Sequence, residues 1–240
     1  HNAYNSAWVS RLGWPDFDMW ESHNPHAEMH AVLRAVSGGP VYVTDLPGRE
    51  NAALLKKLCL SDGRLLRADQ PGQPSPSSLF ENPHEQRVPL KVFTRVGDVG
   101  VLACFNIHRG GREVFGETRL ADIPGLAERP HFLFDWKAKT GRLLRPKMGL
   151  TLRIKPDSWS LFFAVPVTKS FAPLGLFEKF LSPATIGYHS STSQEEVIEL
   201  KQGGLFGFYS VWKPKRIEVN GRRVQFEVAN RLSGIRLVRT

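Results

Sequence analysis

Residues 14–45 read WPDFDMWESHNPHAEMHAVLRAVSGGPVYVTD, and the fold turns on how this stretch is parsed. Trp14-Pro-Asp-Phe-Asp-Met-Trp20 has the length and aromatic content of a short strand. Asn24-Pro25 then offers a helix N-cap followed by proline at the first helical position. Met29, Val32, Leu33 and Val36 recur at i, i+3, i+4 and i+7, the spacing of one buried helix face, and Gly38-Gly39 supplies the stop. Pro40-Val-Tyr-Val-Thr-Asp45 is a second apolar strand ending in a carboxylate, and Leu54, Leu55 and Leu58 line a further helix. Strand, helix, strand, helix points to parallel βα units. Two such units cannot close a sheet that must be covered on both faces. Residues 1–60 are therefore expected to be a fragment whose partners lie upstream of His1.

Working outward, the pattern changes after Ser61-Asp-Gly63. Gln70-Pro-Gly-Gln-Pro-Ser-Pro-Ser-Ser78 is a run of turn-formers and reads as a surface connection. Beyond it almost everything reads as strand. Leu90 to Val96, Val99 to Ile107, His131 to Trp136, Leu150 to Ile154, Trp159 to Val167, Val197 to Leu200 and Leu205 to Val211 are rich in β-branched and aromatic residues. Asn220-Gly221, between Arg216-Ile-Glu-Val and Arg222-Arg-Val-Gln-Phe-Glu-Val, is a strong hairpin signal. Short strands broken by Gly and Pro predict an antiparallel β-sandwich over 88–240, joined through 61–87 to the βα segment. The expected fold class is thus α/β plus all-β.

The balance of 32 Lys and Arg against 23 Asp and Glu gives a net charge of +9. The excess is concentrated at the end: Lys213 to Thr240 holds eight basic residues against Glu218 and Glu227. Those charges alternate with β-forming residues, the pattern of strands with one wet face, and no nucleic-acid-binding motif accompanies them. Nucleic acid is therefore not an expected partner. No run of 18 or more apolar residues is present, so no stretch reads as a membrane-spanning helix and no membrane partner is expected. Cys59 and Cys104 are too few for a disulfide framework or a cysteine-rich zinc site and read as buried thiols.

PDFDMWES followed by HAEMHAVLRAVSGGPVYVTDLPG resembles the raffinose synthase and seed imbibition group, which belongs with the α-galactosidases of glycoside hydrolase family 36. HNAYNS at residues 1–6, LLKKLCLSDGRLLRADQPGQPSPSSLFENP and GVLACFNI follow in the family's order, so the resemblance runs from residue 1 to about 107. It implies the last βα units of a (β/α)8 TIM barrel, with PDFDM and GPVYVTD as the seventh and eighth strands, followed by a C-terminal β-domain. It also implies that the nucleophilic and acid/base aspartates, on the fourth strand and just after the sixth, lie upstream, leaving no catalytic residue in this chain. Asn24 stands where many plant members have His, and Leu46 where they have Lys, which weakens inference about which galactoside is used.

Asp16 and Asp18 share one strand face with Cα atoms roughly 6.6 Å apart, a spacing that paired glycosidase carboxylates tolerate. Neighbours on one strand form a single wall, however, whereas acid and nucleophile must flank the bond. The resemblance instead makes Asp18 a hydrogen-bond partner of the sugar, with Met19 beside it; Asp16, deeper in the strand, is expected to contribute stability, and the other reading open to both carboxylates is a barrel-filling or turn role. Trp20 is open to two readings, stacking on a sugar or filling core. Asp45 is open to two as well, pocket wall or helix entry. His26 and His30 sit four apart, with His23 and Glu28 close by, but His-x-Glu-x-His is not the zinc-protease order and no third ligand stands out, so no metal is expected. The implied activity of the intact protein is retaining cleavage or transfer of α-linked galactose, needing no metal or organic cofactor. The expected partners are an α-galactoside sugar and the N-terminal remainder of the same enzyme. The alternative is a non-catalytic carbohydrate-binding β-module.

Overall fold

The computed structural model describes residues 1–126, 129–230 and 233–240. Three helices come first: α1 (Asn2–Val9), α2 (Ala27–Ser37) and the single turn α3 (Ala52–Leu55). The strands follow as β1 (Gln73–Pro74), β2 (Leu90–Val96), β3 (Val99–Phe105), β4 (Val114–Arg119), β5 (His131–Asp135), β6 (Thr140–Leu144), β7 (Gly149–Ile154) and β8 (Trp159–Pro166). Then come β9 (Phe171–Leu176), β10 (Ile186–Ser191), β11 (Glu196–Leu200), β12 (Leu205–Ser210), β13 (Glu218–Val219), β14 (Arg222–Arg223), β15 (Glu227–Asn230) and β16 (Ile235–Arg239). The chain is mostly β-sheet, and every strand pair among the described residues is antiparallel.

The centre is a six-stranded sheet in the order β1-β2-β3-β8-β5-β6. Leu161, Phe162, Phe163, Ala164 and Val165 of β8 are all buried, with none of the apolar-polar alternation of a half-wet strand. The reason lies in what covers each face. Val101, Ala103, Phe132, Phe134, Phe163 and Val165 point into one core, shared with Ala31, Val32 and Ala35 of α2 and with Leu174 and Ile235 of a second sheet. Leu102, Cys104, Leu133, Phe162 and Ala164 point into another, closed by Val114, Leu152 and Ile154 of the β4–β7 hairpin. Each such large side chain removed from water contributes about 1.5–3 kcal/mol.

The second sheet, β15-β16-β12-β9, meets the first where the Phe132 and Tyr209 rings stack with centroids 4.1 Å apart. Phe177 crosses β12 at Gly207, where a Cβ would sit 1.9 Å from its ring, so only glycine fits. The outer face of this sheet carries Phe206 and Phe208, packed against Ile198 and Leu200 of β11 and the segment around Ile217–Phe226.

Several expectations need correction. Residues 14–20 and 40–45 are not ladder strands: they meet only in one parallel bridge, Trp20 with Val43, supported by the Thr44 N–H donating to the Trp20 carbonyl at 3.0 Å. Pro15 and a left-handed Asp18 (φ 69°) interrupt the extended run. Asn24 is not the cap of α2. His26 is, while Asn24 receives the His26 N–H on its side chain (2.9 Å) and the Ala27 N–H on its carbonyl (2.8 Å). The C-terminal stop is as expected, with Gly38 left-handed at φ 70°. Leu58 falls outside the one-turn α3, and α1 adds a helix ahead of the first extended segment.

Residues 70–78 are not merely a surface connection, since Gln73 and Pro74 pair with Phe93 and Val92 and Ser75 is buried. Of the two thiols, Cys104 is buried while Cys59 is only half-buried. The Asn220-Gly221 turn has both residues at positive φ (50° and 76°), as a type I′ hairpin requires.

What buries Ser75 is a closed polar network under β2. Lys91 and Asp122, 7% and 1% exposed, approach to 3.3 Å. The Lys91 ammonium also donates to Ser77 Oγ (3.0 Å) and the Glu117 carbonyl (2.7 Å). Asp122 accepts from Ser75 Oγ (3.2 Å), from Ser77 Oγ and from the Arg119 N–H (2.9 Å). Removing one partner strands a buried charge. Lys91→Met is therefore expected to cost about 3–5 kcal/mol in urea unfolding, and Lys91→Met with Asp122→Asn to cost less than Lys91→Met alone. A single variant within 1 kcal/mol of the parent, on the order of experimental scatter, would show that the pair does not hold β1 and β4 to the sheet.

Candidate functional site

The sequence-selected residues cluster on the two segments flanking α2. Pro15 and Phe17 face the core, which leaves Asp16 and Asp18 both exposed, so Asp16 is not the deeper of the two. Asp16 is nonetheless fully engaged. Its Oδ1 accepts the Asp18 N–H at 2.7 Å and its Oδ2 accepts the Tyr42 hydroxyl at 2.7 Å. That bond first, then partial desolvation, raises the Tyr42 pKa above its ordinary value. Asp18 uses Oδ1 to receive the Met19 N–H at 2.7 Å, while Oδ2 has no partner among the described residues. Met19 is exposed.

Under this loop lies a residue that pattern reading passed over. Arg34 projects from the apolar side of α2 and is 4% exposed. Its Nη2 donates to the Phe17, Asp18 and Met19 carbonyls at 2.9, 2.9 and 3.0 Å, its Nε to the Asp18 carbonyl at 3.1 Å, and its Nη1 to the His30 carbonyl at 3.2 Å. Burial pulls the guanidinium down to about 10, against the opposing pull of Asp18, Tyr42 and Asp16. The left-handed Asp18 backbone costs about 1–3 kcal/mol, which these bonds offset. An arginine inside a helical apolar stripe was the available signal.

Trp20 is buried, 4% exposed, with its ring 5.7 Å from the Arg34 guanidinium and its Nε1 unpartnered among the described residues. It sits in the core rather than on an open face. Asp45 accepts the Ser22 N–H on both oxygens, at 3.1 and 3.0 Å, and Ser22 Oγ accepts the Asn51 N–H at 2.7 Å. Asp45 thus ties the end of the first segment to the start of α3. Desolvation works against the Asp45 carboxylate, but the Ser22 bonds and His23 outweigh it and hold the pKa below 3.8.

The histidines do not converge. His23 meets the Arg49 carbonyl at 2.5 Å, and His30, half-buried beside Arg34, has its pKa lowered by that burial first and by Arg34 and His26 next. No group of three or more His, Cys, Asp or Glu side chains is placed to hold a metal among the described residues.

The family profile described as raffinose synthase or seed imbibition protein Sip1 matches residues 1–119 and 131–238. The chain belongs to this family. Membership extends past residue 107, where motif resemblance thinned, and takes in the six-stranded sheet and nearly all of the four-stranded one. Among relatives, a probable galactinol–sucrose galactosyltransferase 6 of Arabidopsis thaliana is 32% identical over 257 residues, covering 94% of this chain and 34% of its own length. The stachyose synthase of Pisum sativum is 32% identical over 260 residues, covering 95% and 30%. The chain spans about a third of the length of the raffinose synthase relatives it matches. An α-galactosidase from Saccharomyces cerevisiae, solved with raffinose, overlaps 69% of this chain and 51% of its own at 11% identity and a TM-score of 0.47, too loose a likeness to build on.

Within this raffinose synthase family chain, Asp16→Ala and Tyr42→Phe break the same bond. The double variant should therefore melt no lower than Asp16→Ala alone, and additive losses in melting temperature would show that the Tyr42 hydroxyl is held elsewhere. Asp45 predicts a pH effect. A depressed carboxylate stabilises above its ordinary value of 3.8, and that contribution disappears as pH falls through the lower folded value. The stability gap between the parent and Asp45→Asn should be open at neutral pH and close below pH 3.8 in denaturant titrations at a series of pH values.

Proposed function

We propose that the chain is the C-terminal part of a retaining enzyme that cleaves or transfers α-linked galactose, on sugars of the kind its relatives' names describe. Family membership over nearly the whole chain supports this. On this reading, residues 1–60 end a (β/α)8 barrel, 61–87 connect, and 88–240 form a C-terminal β-sandwich. The parallel Trp20–Val43 pairing on either side of α2 supports the first assignment, and the two antiparallel sheets sharing one core support the last.

The reacting aspartates come from the N-terminal remainder, which is also the partner that covers the apolar surface around α1. Trp8 is 81% exposed and Leu12 93%, large apolar side chains that a covering partner would take out of water. No metal or organic cofactor enters the chemistry, since a carboxylate pair suffices for retaining glycosyl transfer.

The observation that carries the site is the open Oδ2 of Asp18. Asp16 has both oxygens spent on the protein, whereas Asp18 keeps one free at the exposed end of the segment. Asp18 accepts a galactose hydroxyl, Met19 lies against the ring, Trp20 backs the loop from the core, and Asp45 fixes the neighbouring wall. Turnover of an aryl α-galactoside is expected from the complete protein and not from these 240 residues alone. In the complete protein, Asp18→Ala loses a charge-assisted bond of about 1.5–3 kcal/mol, or on the order of ten- to 150-fold in kcat/KM, with the melting temperature kept. Near-normal activity of Asp18→Ala overturns the site assignment.

A further inference from the structure

We infer that Arg34 is the positioning residue of the sugar-contacting loop: its guanidinium gathers the carbonyls of Phe17, Asp18 and Met19 and thereby presents the Asp18 carboxylate outward. The inference rests on the reading of Asp18 given above.

In an extended strand, successive carbonyls point to opposite sides. Here three consecutive carbonyls converge on one nitrogen, Nη2, within 2.9–3.0 Å. That convergence demands a departure from extended geometry at the middle residue, and Asp18 is the residue found at positive φ. Curling the backbone turns the Asp18 side chain back onto the Met19 N–H through Oδ1, which leaves Oδ2 as the open oxygen. Tyr42 holds the adjacent Asp16, whose Oδ1 receives the Asp18 N–H, so the turn is clamped from both ends.

Only a guanidinium suits the clamp. Arg34 spends Nε, Nη1 and Nη2 in one planar fork while lying over the Trp20 ring, and a lysine ammonium has three donors at a single point. Ala31, Val32 and Ala35 of α2 are buried in the main core on either side of Arg34, which holds the helix that supplies the clamp.

The test compares Arg34→Ala, Arg34→Lys and Asp18→Ala in the complete protein, reading galactose affinity by calorimetry, kcat and KM separately, and melting temperature. Arg34→Ala and Arg34→Lys are each expected to weaken galactose binding on the order of ten- to 100-fold. Combining Arg34→Ala with Asp18→Ala should weaken it no further than Asp18→Ala does alone. Millimolar ethylguanidinium, filling the space left in Arg34→Ala, should recover affinity there and do nothing for Asp18→Ala. Because Arg34→Lys keeps the charge and the aliphatic stem, it remains informative if the alanine variant does not fold. Folded Arg34 variants with parental affinity, or losses that add to those of Asp18→Ala, overturn the positioning role while leaving Asp18 in place. Unchanged affinity in Asp18→Ala removes the sugar reading and the inference together.

Discussion

Both faces of the six-stranded sheet are buried, and the rest of the molecule is arranged by that constraint. A sheet covered twice needs two lids, and the chain draws one from its two ends and the other from its middle. Helix α2 and the four-stranded sheet close one side, and the β4–β7 hairpin closes the other. The consequence for the proposed site is direct. Because Ala31, Val32 and Ala35 are pressed onto β2 and β3, α2 cannot turn, and Arg34 is fixed at the end of the segment it holds.

The buried charges of Lys91, Asp122 and Arg34 follow one rule: each is surrounded by hydrogen-bond partners. Lys91 and Asp122 collect Ser75, Ser77, Glu117 and Arg119 around themselves, and Arg34 collects three carbonyls of its loop. Both clusters act on the backbone. The first makes a turn-rich, proline-rich stretch behave as the edge of a sheet, and the second makes the end of a strand-like segment curl. In each case a local propensity is overruled by a charge that must be satisfied once it is buried.

Much of the fold was legible because it depends on local chemistry. The long strands from Leu90 to Val96, Val99 to Phe105 and Trp159 to Pro166 announce themselves by their β-branched and aromatic content, while Gly38 marks the end of α2 and Asn220-Gly221 the β13–β14 turn by the positive φ they permit. Residues 14–20 misled because their composition is that of a strand while Pro15 and Asp18 deny them its geometry. Residues 70–78 misled in the other direction: composition spoke for a loop, and burial beside Lys91 made part of it strand. Of the candidate residues, Asp18 and Met19 were marked by family resemblance and Trp20 and Asp45 by their place along the chain, each with two readings, but nothing local marked Arg34 and Tyr42.

By itself, then, the sequence determined where the longest strands run, where α2 stops and the Asn220-Gly221 hairpin turns, and to which family the chain belongs, since these follow from side-chain shape, backbone freedom and motif order along a short stretch. Only the tertiary structure decided which carboxylate is spent and which is open, that Trp20 lies in the core, and that a single arginine gathers three carbonyls. Those outcomes depend on which groups meet after water has been excluded, and residues distant along the chain settle that together.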